Sequence, residues 1–424
     1  MTAQTTDTAA HDPHVPGSDV VVKPPQRRGN PWLPSFHGVG LVTRIELRRR
    51  RPSTKGYVFY GILFGLVALI CVLAVLFTPP ELSSTNFEVV LLMVFGVGML
   101  IAPSLSATSI NGDSGEGVLA PLQMSHLTAG DIAFGKLIAS WVVTLIALVA
   151  VSPFLIYTFV SSGWMITELL ITLGAILLVV LAFTAVGLAW SSIAARAVAS
   201  VALAHLTTGL FVIGTLIAFG VSTTLVTEES PLREKFIDTE NLSTEAQEAL
   251  WTAWETGDYS ALNPDDYQCV DSEWAYTVTR TDQVAWIMLT NPVVMLIETA
   301  PIVDPETYRQ DGRAAPGLFA NLHRWISEAR LGPMETLDDY VPYDECAELF
   351  GTGEQEELTA EEYEAMDAEW SERYEARQKA EANLERAPWL GLGVTVALLI
   401  GSMVVVIRRL RVPYKKLRTG TRVA

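Results

Sequence analysis

Three groups of residues in this chain are of types that carry chemistry, and each points to a different kind. The run Gly130-Asp131-Ile132-Ala133-Phe134-Gly135-Lys136 matches the start of a phosphate-binding loop, in which backbone amides and a lysine cradle phosphate oxygens. The next position fails. Leu137 stands where Ser or Thr would ligate Mg²⁺, and no buried strand precedes the glycines, so nucleotide binding by this chain is not expected. His205, with Thr207 and Thr208, lies in the middle of an apolar stretch. An ionisable group at membrane depth is a candidate substrate or proton site, although a neutral histidine bonded to a neighbouring helix is the commoner outcome. Cys269 and Cys346 are candidates for a disulfide in an oxidising compartment, but the sequence sets no distance between them. No HExxH helix, GxSxG elbow or Cys-rich zinc pattern occurs. No catalytic residue, metal site or bound cofactor is therefore expected on this chain.

The elements that must position these residues belong to a membrane. Half of the 424 residues are hydrophobic and only 18% are charged. Six stretches, 57–77, 87–107, 132–160, 166–190, 198–221 and 389–406, come close to or exceed the length of about 20 mostly apolar residues that a spanning helix needs. The net charge of −18 conceals two unlike parts: residues 227–387 hold 37 acidic against 11 basic side chains, and the remainder is basic. Nucleic-acid binding is accordingly not expected. Arg44, Arg48, Arg49, Arg50, Arg51 and Lys55 precede the first stretch, and Arg408, Arg409, Arg411, Lys415, Lys416 and Arg418 follow the last. By the bias of basic residues toward the cytoplasm, both termini are expected there and the acidic insert outside.

The expected fold class is therefore mainly α: a polytopic membrane protein with six transmembrane helices, an N-terminal interfacial helix and a large extracytoplasmic domain between helices 5 and 6. Residues 1–35 read as a disordered cytoplasmic tail, 36–226 as the interfacial helix with helices 1–5, 227–387 as the acidic domain, and 388–424 as helix 6 with a basic tail. The interfacial helix is expected because 36–51 interleaves Val, Leu and Ile with a basic face. Residues 284–300 are apolar but interrupted by Asn291-Pro292, and read either as a re-entrant or interfacial hairpin or as a core helix of the outer domain. The Trp and Phe residues of 227–387, among them Trp251, Trp254, Trp274, Phe319 and Trp325, argue for a domain with its own core. Residues 357–386 lack Gly and Pro and set Glu369 with Arg373 and Glu375 with Lys379 at helical spacing, which predicts a long helix leading into the last span.

Between the second and third stretches lies SINGDSGEGVLAPLQMSHLTAGDIAFGK, residues 109–136. A charged, Gly-containing turn precedes a short apolar segment, Val118, Leu119, Leu122, Met124 and Leu127, and Asp131, Gly135 and Lys136 open the next span. Such a segment can lie on the inner membrane surface and present one face to a cytosolic partner. The loop resembles that of the permease subunits of ABC-2 type (ATP-binding cassette) transporters, approximately S-I-x-x-E-x-E-x-G-T-L-x-x-L-x-x-x-P-L-x-x-x-x-I-x-x-G-K. Ser109, Ile110, Gly117, Leu119, Leu122, Leu127, Ile132, Gly135 and Lys136 fall on that pattern, and Asp113 replaces its first acid. Gly115 stands where the second acid is usual, with Glu116 adjacent; Val118 replaces the Thr and His126 the Pro. The six-span plan, the interfacial helix and Asn291-Pro292 before the last span extend the resemblance; the acidic insert lies outside it.

The resemblance implies an exporter permease in a bacterial plasma membrane that pairs with a second permease copy, as homodimer or heterodimer, and with a cytosolic ABC ATPase subunit. ATP and Mg²⁺ would be held by that partner. Asp113, Glu116, Gly117, Leu119, Leu122 and Leu127 are the implied ATPase-coupling residues. A membrane-anchored envelope interaction or mechanotransmission protein, acting through its outer domain, is the alternative.

Overall fold

The computed structural model describes residues 30–50, 54–77, 79, 82–300, 317–334, 343–350 and 360–411. Most of the tail expected at 1–35 lies outside these residues, as do Lys415, Lys416 and Arg418. Helix α1 (Phe36–Arg49) is followed by α2 (Thr54–Phe77), α3 (Ser83–Ser106), the short α4 (Ser109–Gly115) and α5 (Leu119–Met124), then α6 (Ala129–Ser161) and α7 (Ile166–Ile193). The next helix is α8 (Ala197–Gly209), continued through a π turn at Leu210–Gly214 into α9 (Thr215–Thr223). Among the described residues, five helical runs are long and apolar enough to cross a membrane: Ser83–Gly115, Ala129–Ser161, Ile166–Ile193, Ala197–Thr223 and Pro388–Leu410. The stretch expected at 57–77 lies within α2, which exposes Ile62, Leu66, Leu69 and Leu76. The run from α8 to α9 likewise exposes Val198, Leu206, Leu210, Ile213, Ile217 and Val221. Apolar faces of this extent mark a membrane or partner contact and are unfavourable in water.

Inside the bundle Phe87, Leu91, Ile176, Phe183 and Leu188 are fully buried where α3, α6 and α7 meet. In hydrocarbon, helix association relies on close packing and polar contacts, because lipid tails are as apolar as Leu. Buried hydroxyls here bond their own helices: Ser140 donates to Lys136 O, Thr144 to Ser140 O and Thr184 to Val180 O.

Beyond the fourth of these runs a two-stranded antiparallel ribbon forms from β1 (Thr227–Ile237) and β2 (Cys269–Thr279), in register from Thr227↔Thr279 to Ile237↔Cys269. Between the strands, α10 (Thr244–Thr256) starts at the Ser243 cap and ends at Gly257. An isolated ribbon of two strands is marginal in water. At the tip this one is reinforced by a small core of Ile237, Ala246, Leu250, Tyr267 and Cys346, and by a disulfide from Cys269 to Cys346. The disulfide joins residues 77 apart, for which chain-entropy reasoning gives a stabilisation of about 4.5 kcal/mol. Cys269→Ser is thus expected to raise proteolytic cleavage within 238–268 markedly over wild type under non-reducing conditions. Equal cleavage of the two proteins would count against a stabilising role for the bond.

Few of the aromatic residues join the small core at the ribbon tip, where Phe350 stacks on Tyr267 at 5.3 Å. Trp251, Trp254 and Trp274 are exposed, and Phe319 is buried in the bundle core instead. The reason lies in the chain path. Residues 284–300 fold as two short helices, α11 (Ala285–Leu289) and α12 (Pro292–Ile297), packed on the bundle, and α13 (Leu318–Leu331) lies across them. Pro292 opens α12 at a position with no amide bond to lose, capped by Asn291, which accepts from Val293 N. After α14 (Glu345–Phe350), the long α15 (Ala360–Asn383) carries the Glu369–Arg373 and Glu375–Lys379 pairs at 2.7 and 3.3 Å and is followed by α16 (Pro388–Leu410).

Candidate functional site: a buried ion cluster beneath an exposed loop

The region with the densest buried charge lies where α1, α4 and the start of α6 meet. Asp131 joins the caps of two helices: Oδ1 accepts from Ser35 N at 2.6 Å and from Ser35 Oγ at 3.0 Å, and Oδ2 accepts from Thr128 N at 2.9 Å. Ser35 and Thr128 are the N-caps of α1 and α6. One turn further along, Gly135 lets the helices touch, since a Cβ there would sit 2.5 Å from Val42 Cβ. Thr43 donates to Gly135 O at 3.2 Å.

This crossing brings Glu46 of α1 onto Lys136 of α6. Lys136 Nζ lies 2.6 Å from Glu46 Oε1 and 2.5 Å from Asp113 Oδ2, and it also donates to Ser109 O at 3.2 Å. Lys136 is 0% exposed and Asp113 4%. Arg49 bridges outward, with Nη1 2.8 Å from Asp113 Oδ1 and Nη2 3.0 Å from Glu116 Oε2. Arg50 closes the cluster, 3.5 Å from Glu46 Oε2 and donating to Leu105 O at 2.9 Å. The acids Glu46, Asp113 and Glu116 therefore balance the bases Arg49, Arg50 and Lys136. The hydrogen bond it donates to Asp113 raises the pKa of the Arg49 guanidinium above its ordinary value, while burial lowers that of Arg50. Buried charges of this kind are tolerable only when paired and hydrogen-bonded on every side.

The loop above the cluster is seated from below. Ser191 Oγ, at the end of α7, accepts from Ile110 N at 2.9 Å, and Gln123 Nε2 donates to Leu410 O of α16 at 3.1 Å. Leu119 packs among Ile132, Leu188, Val406 and Leu410, with Leu122 and Leu127 partly buried against them. Gly117 has φ 72°, a left-handed conformation that costs other L-residues about 1–2 kcal/mol, so the turn between α4 and α5 requires glycine. Of the expected coupling residues, Glu116 and Gly117 are exposed, Leu122 and Leu127 partly so, and Asp113 and Leu119 face inward. Asp113 thus holds the loop in place and presents no surface to a partner. The exposed face is formed by Ser114 to Gly117, Pro121, Met124 and His126, with Met124 63% exposed.

The remaining sequence candidates separate. His205 Nε2 lies 2.8 Å from Ser104 Oγ of α3, Thr207 accepts from Trp190 Nε1 at 2.9 Å, and Thr208 donates to Ala204 O. These polar atoms serve three partners and do not converge on one site. The Gly130–Lys136 run forms no phosphate cradle, because its glycines pack against Pro31 and α1 and its lysine is engaged by Glu46 and Asp113. Sequence reasoning missed Glu46. The signal was there: it is the one acid within 36–51, on an apolar and basic helix.

At the opposite end of the bundle a second buried acid organises three elements. Glu298, beyond α12, has Oε1 2.8 Å from His323 Nδ1, and its Oε2 accepts from Ala387 N at 2.8 Å with Arg330 Nη1 3.9 Å away. Glu88 of α3 accepts from Phe319 N at 2.7 Å, at the start of α13.

A family model described as ABC-2 family transporter protein matches residues 4–318. No curated protein and no solved structure matches the chain. The family match covers well over half of the sequence, and with the apolar helices described above it makes this chain a multi-pass membrane protein of the ABC-2 transporter family.

Proposed function

We propose that the chain is the permease subunit of an ABC exporter. It forms the translocation path, is not itself an enzyme, and is driven by a separate cytosolic ATPase that holds the ATP and Mg²⁺. A second permease copy completes the path. On this reading α2 is the first of six spans, α1 and both termini lie at the cytoplasmic surface, 284–300 is a re-entrant hairpin and the ribbon end is extracytoplasmic. The disulfide supports the last assignment, since such bonds persist in oxidising compartments.

The observation that carries the proposal is the ion cluster. It ties the exposed loop face rigidly to α1 and α6, while Gln123 ties it to α16. A push on Glu116 or Met124 is therefore delivered to several helices at once. The test is purification of the tagged chain in mild detergent, with mass spectrometry of what accompanies it. A stoichiometric protein with a phosphate-binding loop is expected, and Met124→Asp should lower its recovery about tenfold, equivalent to ~1.4 kcal/mol. Met124 is exposed, so the variant should remain folded. Full recovery with Met124→Asp would sink the assignment of this face.

One observation favours a second reading, transmission of force to partners of the outer domain. Asn383 ends α15 only a few residues before Pro388 opens α16, and Glu298 clamps the junction at Ala387. If envelope proteins accompanied the chain and no ATPase did, this reading would replace the first.

A further inference from the structure

The arginines of α1 divide into two sets. Arg49 and Arg50 turn inward to the ion cluster. Arg44 and Arg48 are exposed, one helical turn apart on the other face, and have no hydrogen-bond or ion partner among the described residues. Both line a groove of about 470 Å³ whose apolar wall is formed by Phe36, Val39, Leu47 and, from α6, Ile138. That volume falls in the range of clefts that hold small ligands. Phe36 is 99% exposed, an unfavourable position in water for a side chain of this size.

We infer that this groove holds one anionic phospholipid of the inner leaflet. The charge pattern selects the occupant. Arginines at i and i+4 stand together on a helix surface and can both reach a single phosphodiester, whose oxygens accept the paired N–H donors of a guanidinium. The apolar wall is where an acyl chain would run, and Ile138 lies within α6 just beyond its opening turns. A zwitterionic lipid would bring its own cation to the same place and gain less from the two arginines. The lipid would seat the outward face of α1 while the ion cluster seats its inward face, so that the helix is held from both sides. The inference rests on the proposed orientation, with α1 at the cytoplasmic surface.

The test uses the full chain with whatever partners accompany it, in detergent, titrated with dioleoyl phosphatidylglycerol or dioleoyl phosphatidylcholine and read by native mass spectrometry. One phosphatidylglycerol per protomer is expected, retained about tenfold better than phosphatidylcholine. Arg44→Gln/Arg48→Gln should lower that retention by roughly ten- to thirtyfold, the size expected for two arginines near an anionic surface. Leu47→Trp, which fills the groove at unchanged charge, should lower it as well. Both arginines lack partners among the described residues, so in lipid-free detergent the double variant should keep the wild-type thermal midpoint.

Equal retention of the two lipids, or full retention by the double variant, would overturn the inference. Displacement by excess glycerol 1-phosphate would also overturn it, by identifying a free-phosphate site. So would loss of the ATPase or of the second permease copy from the double variant with its lipid count unchanged, because the groove would then be a protein seat. The orientation is tested separately with Phe36→Cys in a Cys71→Ser background and an impermeant maleimide, the other cysteines being joined. Labelling in intact cells would overturn the orientation and the leaflet together while leaving the lipid count as measured, so the two failures are told apart.

Discussion

Lys136→Met is expected to be among the most damaging single substitutions in the chain. It leaves Asp113 and Glu46, both nearly inaccessible, without the ammonium that lies within 2.6 Å of each. Breaking a buried ion pair by removing one partner costs about 3–5 kcal/mol, because the remaining charge stays buried and unpaired. The measurement is the fraction of monodisperse protein that survives heating in detergent. Lys136→Met with Asp113→Asn should recover more than half of the loss, since Glu46 keeps Arg50 at 3.5 Å and the cluster returns to zero net charge. A double variant no better than the single one would mean that the lysine acts through its packing. The converse substitution, charge reversal at Asp113, places a cation against Lys136 and Arg49, and therefore reports on folding before it reports on a partner.

Glu298→Ala should be the next most severe. One carboxylate holds His323 and Arg330 of α13 and the amide of Ala387 at the entry to α16, and its side chain is 0% exposed. Removing it leaves His323 Nδ1 and the Ala387 amide without this acceptor, a loss of about 2–3 kcal/mol, while Arg330 keeps Glu385 O at 3.0 Å. Glu298→Gln keeps an acceptor for Ala387 N and should lose less. Limited proteolysis near residues 384–387 gives the readout: cleavage should rise strongly in the Ala variant and modestly in the Gln variant. Identical cleavage in wild type and Glu298→Ala would show that this junction is held by other contacts.

Much of the architecture is legible in the sequence because the bilayer imposes a length rule and helices impose a period. The long apolar runs and the ion pairs of α15 follow from those two facts alone. The family is legible as well, since the residue order at 109–136 resembles its pattern and the family model covers that segment. What the order does not reveal is direction. Asp113 lies on a short helix and Glu116, three residues on, caps its end, yet one is buried on Lys136 and the other exposed. That outcome depends on where α1 crosses α6, which is set by Gly135 and Asp131, separated from both acids along the chain. The aromatic count of the outer segment misleads for a related reason: composition cannot tell that Phe319 belongs to the bundle and Trp251 to the surface. The π turn has no herald in the sequence, since no proline lies within it and the partner that satisfies it, Asn291, is about 80 residues away.

That turn governs how the Ala197–Thr223 run can change. Each residue of an α-helix advances the side chains by about 100°, so an insertion or deletion normally swings everything beyond it to a new azimuth. Here the two halves address different neighbours. Before the turn, His205 and Thr207 meet α3 and α7; after it, Phe219 meets Trp325 of α13 at 6.1 Å. Asn291 bonds Val212 O at 2.8 Å and Thr215 Oγ1 at 2.9 Å, and so fixes the phase of the second half from outside the helix. The turn is thus the place where this helix can absorb a one-residue change in length. The half nearer α1 keeps its azimuth, and the half nearer the ribbon is reset by the hairpin.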